Sequence, residues 1–151
     1  MRILVALIVG IILGTERTAA HRTAGMRTFS LVSMGSALFV IISIVLDKQI
    51  YGSQIANVGL DPLRMASQII VGIGFLGAGL IIMQENRLTG LTTAAGLWVS
   101  AGIGMAIGFG LYSLAIFTAI LTFLVFRVLW RLERSLEKKI AQSSQGSQSS
   151  N

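Results

Sequence analysis

The chain has 151 residues, 54% hydrophobic and only 12% charged, with a mean hydropathy of +0.79 and a net charge of +6. A soluble domain carries about 25% charged residues, so this balance excludes an ordinary soluble globular domain and predicts a membrane protein. Cysteine is absent, which excludes disulfides and thiolate metal sites, and the basic residues flank apolar segments, which speaks for membrane orientation and lipid headgroups rather than nucleic acid.

The first apolar run, residues 3–14, is too short to cross a bilayer alone. Arg2 before an apolar run has the look of a signal peptide, yet no small-residue cleavage site follows. We therefore read a first transmembrane helix over 3–20, with Glu16 carried inside its end. Ala6, Gly10 and Gly14 lie on one stripe at i, i+4, i+8, a small-xxx-small packing face. Residues 16–27, ERTAAHRTAGMR, form a basic connection. The second helix is predicted over 29–46, and 47–60 as a polar loop.

Residues 61–83, DPLRMASQIIVGIGFLGAGLIIM, organise the chain. Asp61 suits a helix N-cap, and Pro62 suits the first helical position, where no N–H is needed. The uncharged run 65–83 gives roughly 28 Å of helix at about 1.5 Å per residue, enough to cross the hydrocarbon core, so a span is predicted over 63–83. Gly72, Gly74, Gly77 and Gly79 crowd its middle. Three of them spell G-x-G-x-x-G, but the dinucleotide fingerprint needs a preceding strand and a soluble βαβ unit. Inside an apolar helix the spacing reads as helix packing.

A tight turn over 84–90 leads to a fourth helix over 91–108, along which Gly96, Ser100, Gly104 and Gly108 step by four. The short connection after it makes the fifth helix, 111–130, an antiparallel neighbour of the fourth. Tyr112 and Trp130 would mark the two interfaces. Leu129, Leu132, Leu136 and Ile140 then form an apolar stripe among basic residues. That segment reads either as an interfacial helix or as a positive stop after the last span. Residues 141–151 are Ser/Gln-rich and expected to be disordered. The predicted fold is an all-α membrane protein: a bundle of five transmembrane helices over 1–130, followed by a cytoplasmic segment over 131–151. Nine of the twelve basic residues fall on one side of such a bundle. Positive-inside reasoning then places the N-terminus outside and the C-terminus in the cytoplasm.

Few polar residues approach membrane depth: Glu16, Arg17, Arg27, Asp61, Arg64, Gln68 and Glu85. Arg64 and Gln68 are one turn apart and share a face. Glu16 is expected to pair with an arginine of another segment, Arg27 or Arg64. Such a pair reads either as a polar site where helices meet or as a lock on the bundle. The acidic residues all lie at helix ends or outside the spans. That argues against a Mg²⁺ or Ca²⁺ path through one subunit, although an oligomer with an axial pore would escape the argument. His21 stands alone in a basic loop. No nucleophile–base spacing, metal box or phosphate loop is present, so no enzymatic activity, metal or cofactor is expected.

Several segments resemble the MgtC/SapB family of bacterial inner-membrane proteins: GTER at 14–17, AGMRT at 24–28, DPLRMASQ at 61–68, GIGFLGAGLI at 72–81 and GLTTAAGLWVSAGIG at 90–104. The resemblance implies a multi-pass protein of the bacterial plasma membrane, with five spans and the N-terminus outside. It implies a link to growth at low Mg²⁺ and, in pathogens, to survival in macrophages, through membrane partners that include the proton-driven ATP synthase. Carried over by position, its candidate sites are Glu16, Arg17, Arg27, Thr28, Arg64, Gln68, Thr92 and Thr93. Many members carry a soluble ACT-like C-terminal domain, whereas this sequence ends in a short basic segment and a polar tail. The N-terminus also looks short against the family pattern, which implies a late start or a trimmed chain. Thr89 stands where members often have Arg, and Arg87 lies two residues earlier.

Two functional readings remain open on the sequence. One is a non-enzymatic regulator whose small-residue stripes bind its own helices, further copies of itself or a partner's helices in the bilayer. The other is a transporter or channel for a small ion or solute, lined by Glu16, Arg64, Gln68, Thr92 and Thr93.

Overall fold

The computed structural model describes residues 1–52, 61–84 and 87–132. Helices dominate: α1 (Arg2–Ala19), α2 (Met26–Gly52), α3 (Pro62–Ala78), α4 (Leu91–Phe109) and α5 (Tyr112–Leu124), which continues into a π-helical turn at Val125–Leu129. Two short antiparallel strands, β1 (Ile82–Gln84) and β2 (Arg87–Thr89), lie between α3 and α4, with Ile82 opposite Thr89. Three helical stretches are long and apolar enough to cross a membrane: Met26–Gln49, Leu91–Phe109 and Tyr112–Leu132. The 18-residue α1 carries Arg2, Glu16 and Arg17 at its two ends, and α3 has 17 residues.

The helix ends follow local chemistry. Asp61 caps α3, its carboxylate accepting from the Leu63 N–H at 2.8 Å, and Pro62 fills the first helical position. Gly110 (φ 85°) ends α4 in a Schellman arrangement, in which its N–H donates to Ile107 O and that of Leu111 to Ala106 O. This left-handed glycine reverses the chain within the short link to α5. Arg2 reinforces the same end by donating to Gly108 O at 2.9 Å, a cation placed at the negative end of α4.

Small residues let the helices close up. α4 is central and packs against α1, α2, α3 and α5. A Cβ on Gly10 would lie 2.6 Å from the Ser30 Cα, and one on Gly14 would overlap Met26, so α1 and α2 meet backbone to backbone. Gly104 meets the Ser33 carbonyl of α2 in the same way, and Gly108 meets Val40 and the Ala37 carbonyl. Gly96 leaves room for the rings of Phe29 and Phe126. Ser100, fully buried, donates to Phe29 O at 3.1 Å and ties α4 to α2. These contacts also give the directions: the start of α2 faces the end of α1, and the end of α3 meets the start of α4, where Gly77 lies against Ala94. Successive helices therefore alternate in direction.

Several expectations need correction. The second helix is longer than 29–46, because Asp47, Lys48 and Gln49 contain no breaker and the helix runs on to Gly52. The third is shorter than 63–83. It stops at Ala78, with Gly79 as its C-cap, and Ile82–Gln84 turn into a strand rather than more helix. At about 1.5 Å per residue its 17 residues give roughly 25 Å, less than a hydrocarbon core of about 30 Å. The turn over 84–90 is a strand pairing instead. Gly72 and Gly74 have no atom within 4 Å of a Cβ placed on them, and Gly79 meets only carbonyls of its own helix, so among the described residues these three pack closely against no other helix. The interfacial helix beyond Leu132, with Leu136 and Ile140, and Glu85 both lie outside the described residues.

The open space at Gly74 has a consequence. Replacing it with Ala adds a better helix former at a site without collisions. Gly74→Ala is expected to hold or raise the melting temperature in detergent, with a gain of up to about 1 kcal/mol. A clear fall in melting temperature would contradict the described placement of α3.

Candidate functional site

Arg17 is the most constrained polar residue in the bundle. It sits in the last turn of α1 and is 3% exposed. α1 ends where α2 and α4 begin and where α5 finishes, so the side chain enters a junction of four helices. Its Nη2 donates to Thr93 Oγ1 of α4 at 2.7 Å. The guanidinium carbon lies 4.5 Å from the centre of the Phe126 ring, a cation–π stack. Phe126 is in turn held edge-on by Phe29, with ring centres 6.1 Å apart and planes at 82°. The π-helical turn at Val125–Leu129 carries Phe126. Such turns insert an extra residue per turn and often re-aim side chains at functional sites.

Glu16 completes the junction. Its Oε2 lies 4.0 Å from Arg17 Nη1, and both side chains are below a tenth exposed. Glu16 Oε2 and Arg17 Nε are buried without a hydrogen-bond partner. An unpaired buried polar atom costs about 1–3 kcal/mol, so the site holds a charge pair with hydrogen-bonding capacity that the protein does not use. The expected partners of Glu16, Arg27 and Arg64, are replaced by the adjacent Arg17. The reason is parity. α1 and α3 run the same way, so Arg64 at the start of α3 and Glu16 at the end of α1 fall at opposite ends of the bundle.

The other candidates disperse. Arg27 and Thr28 are exposed at the start of α2, where they line a polar pocket of about 630 Å³ with Thr18, His21 and Arg22. Asp61 is the α3 cap, and Arg64 is exposed one turn later. Gln68 lines an otherwise apolar groove of about 510 Å³ between α2 and α3. Thr92 and Thr93 separate: Thr93 is buried on Arg17, and Thr92 faces a shallow groove beside Thr118 and Thr122. The structure thus joins Glu16, Arg17 and Thr93 and leaves Arg64 and Gln68 elsewhere. Sequence reasoning missed Phe126 and Phe29. An aromatic residue in an apolar helix carries no local mark of a distant arginine. Among the described residues no group of three His, Cys, Asp or Glu side chains could hold a metal ion.

Comparison with known proteins adds an independent line. Residues 3–135 match the MgtC family model. The chain is 43% identical over 141 residues to "Putative magnesium transporter YhiD" of Escherichia coli K12, covering 92% of this chain and 64% of that protein. It is 40% identical over 141 residues to Protein SrpB of Synechococcus elongatus, covering 88% of this chain and 75% of that protein. To Protein MgtC of Salmonella typhimurium LT2 it is 39% identical over 121 residues, covering 80% of this chain and 48% of that protein. The chain therefore spans less than two thirds of the length of YhiD and about half that of MgtC. No solved structure matches.

Proposed function

The chain belongs to the MgtC family of bacterial membrane proteins, and on that premise we propose that it is a non-enzymatic, multi-pass regulator in the inner membrane, serving adaptation to low magnesium. In this reading all five helices cross the bilayer, the N-terminus lies outside, and the C-terminus is cytoplasmic. The protein acts by contact with other membrane proteins, of which the proton-driven ATP synthase is the candidate the family resemblance supplies. In pathogens the same action would serve virulence.

The observation that carries the reading is the buried Arg17. A path for Mg²⁺ needs oxygen ligands and negative potential along its length. Among the described residues, the junction of four helices holds a single carboxylate, Glu16, beside a guanidinium that is held by Thr93 and covered by Phe126. Its positive charge repels a divalent cation, whereas its contacts link α1, α4 and α5, as a structural device would. The transporter reading retains one specific support, the unused hydrogen-bonding capacity of Glu16 Oε2 and Arg17 Nε.

Flux decides between them. In proteoliposomes loaded with a Mg²⁺-sensitive dye, the purified protein is expected to pass no more Mg²⁺ than empty vesicles, with or without a proton gradient. In parallel, low-Mg²⁺ growth of a deletion strain should return with the wild-type chain, and ATP synthase subunits should co-purify from its membranes. Mg²⁺ entry well above the empty-vesicle rate would reverse the assignment.

A further inference from the structure

We propose that the pocket at the α1–α2 turn binds a phosphate group. It occupies about 630 Å³ and is lined by Thr18, His21, Arg22, Gly25, Arg27 and Thr28, together with Met26. Two guanidiniums, an imidazole and the Thr28 hydroxyl thus border one cavity, beside a Thr18 hydroxyl already bonded to Gly14 O and the Met26 N–H, and among the described residues no carboxylate does. Among the described residues, the Arg22 and Arg27 side chains make no ion pair or hydrogen bond. The acidic group at this end of the bundle among the described residues, Glu16, is turned inward against Arg17 with its side chain 8% exposed. Among the described residues, then, no acidic side chain lines the pocket to offset its positive charge.

The backbone adds to it. α1 closes with His21 at φ 52°, in the left-handed region, where the His21 and Arg22 N–H groups return to Thr18 O and Arg17 O. Those bonds neutralise the negative end of α1. α2 then starts at Met26, whose N–H donates to Thr18 Oγ1 at 3.1 Å, while the first-turn N–H groups of Arg27 and Thr28, both lining residues of the pocket, have no intrahelical acceptor. The turn thus couples a satisfied helix end with one that is only partly capped, and brings Arg22 and Arg27 to the same pocket. Forked guanidinium donors match phosphate oxygens in pairs, which a lone lysine does not. Two sources carry this chemistry, an anionic phospholipid headgroup at the membrane surface and a soluble phosphate ester. The inference does not depend on whether the protein regulates or transports.

The test uses the full chain in phosphatidylcholine nanodiscs containing a minor fraction of phosphatidylglycerol, with retained lipid read by native mass spectrometry. Inorganic phosphate and glycerol 3-phosphate are titrated separately and read by thermal shift. Wild-type protein is expected to retain phosphatidylglycerol or to be stabilised by the soluble phosphates. R22Q/R27Q should weaken that signal at least tenfold, R22K/R27K should restore part of it, and R131Q, whose site is outside the pocket, should leave it unchanged. Displacement of the lipid by glycerol 3-phosphate identifies the soluble source, and its persistence identifies the headgroup. Equal binding by R22Q/R27Q with an unchanged melting temperature, equal loss in R131Q, or no binding of any of these probes would overturn the proposal.

Discussion

Arg17→Ala is expected to lower the stability of the bundle by about 2–4 kcal/mol, the largest loss of any single polar truncation. The figure combines a charged hydrogen bond to Thr93, worth about 1.5–3 kcal/mol, with a desolvated cation–π contact worth about 2, which do not add fully. Truncation also leaves Glu16 buried without its neighbour, and an unpaired buried charge is the costlier half of a broken pair. Arg17→Lys should recover only part, since an ammonium lacks the flat face that stacks on Phe126. A third variant separates a lock from a working site. Apolar side chains of similar volume often replace a buried charged group at no cost. Arg17→Met with Thr93→Val and Glu16→Gln should therefore melt close to wild type. If that stable variant also restores low-Mg²⁺ growth, the arginine serves architecture alone. If it melts normally yet fails to support growth, the junction is the working part. Melting within about 0.5 kcal/mol of wild type for Arg17→Ala would mean that the guanidinium does not carry the contacts described.

The helical, membrane-type character of the chain was legible because it rests on composition and on uncharged runs, which few other folds tolerate. Helix ends were harder. Hydropathy ends the second span at Leu46, but hydropathy reports where the bilayer stops, not where a helix does. With no glycine or proline between Leu46 and Gly52 the backbone runs on. The end of α3 failed in the opposite direction. Residues 79–83 are as apolar as the rest, yet Ile82 and Met83 pair with Thr89 and Leu88 in a local strand pair of three residues a side, too short to leave a periodic trace. The candidate site was half legible. Glu16 and Arg17 stood out as charges at a span end, and Thr93 lay in a recognisable segment. Their assembly required knowing that the end of α1 meets the start of α4 and that a π-helical turn presents Phe126. The glycines divide on the same ground. A stripe spaced by four marks a face, but only the neighbours decide whether that face is covered. Gly104 lies on α2, whereas Gly72, on the open groove between α2 and α3, and Gly74 touch no other helix among the described residues.

That division sets the second large effect. Gly104→Ala is expected to cost about 1–3 kcal/mol, and Gly104→Leu to prevent a stable bundle. The new Cβ would run into the Ser33 carbonyl, and its carbon and Cα lie within 2.9 Å as well. These are backbone atoms, so no rotamer change relieves the overlap, and α2 must move bodily away from α4. Movement there is costly twice over. It strains the Ser100–Phe29 hydrogen bond one turn earlier, and it shifts Phe29 from the edge of Phe126, the ring that covers Arg17. Gly104→Ala should therefore weaken the arginine junction as well as the helix contact, and combining it with Arg17→Ala should cost less than the sum of the two single losses. Detergent melting of the two single variants and the double variant measures this directly. Strict additivity would show that the α2–α4 contact and the Arg17 junction are independent, and an unchanged melting temperature for Gly104→Ala would place α2 farther from α4 than the packing described here.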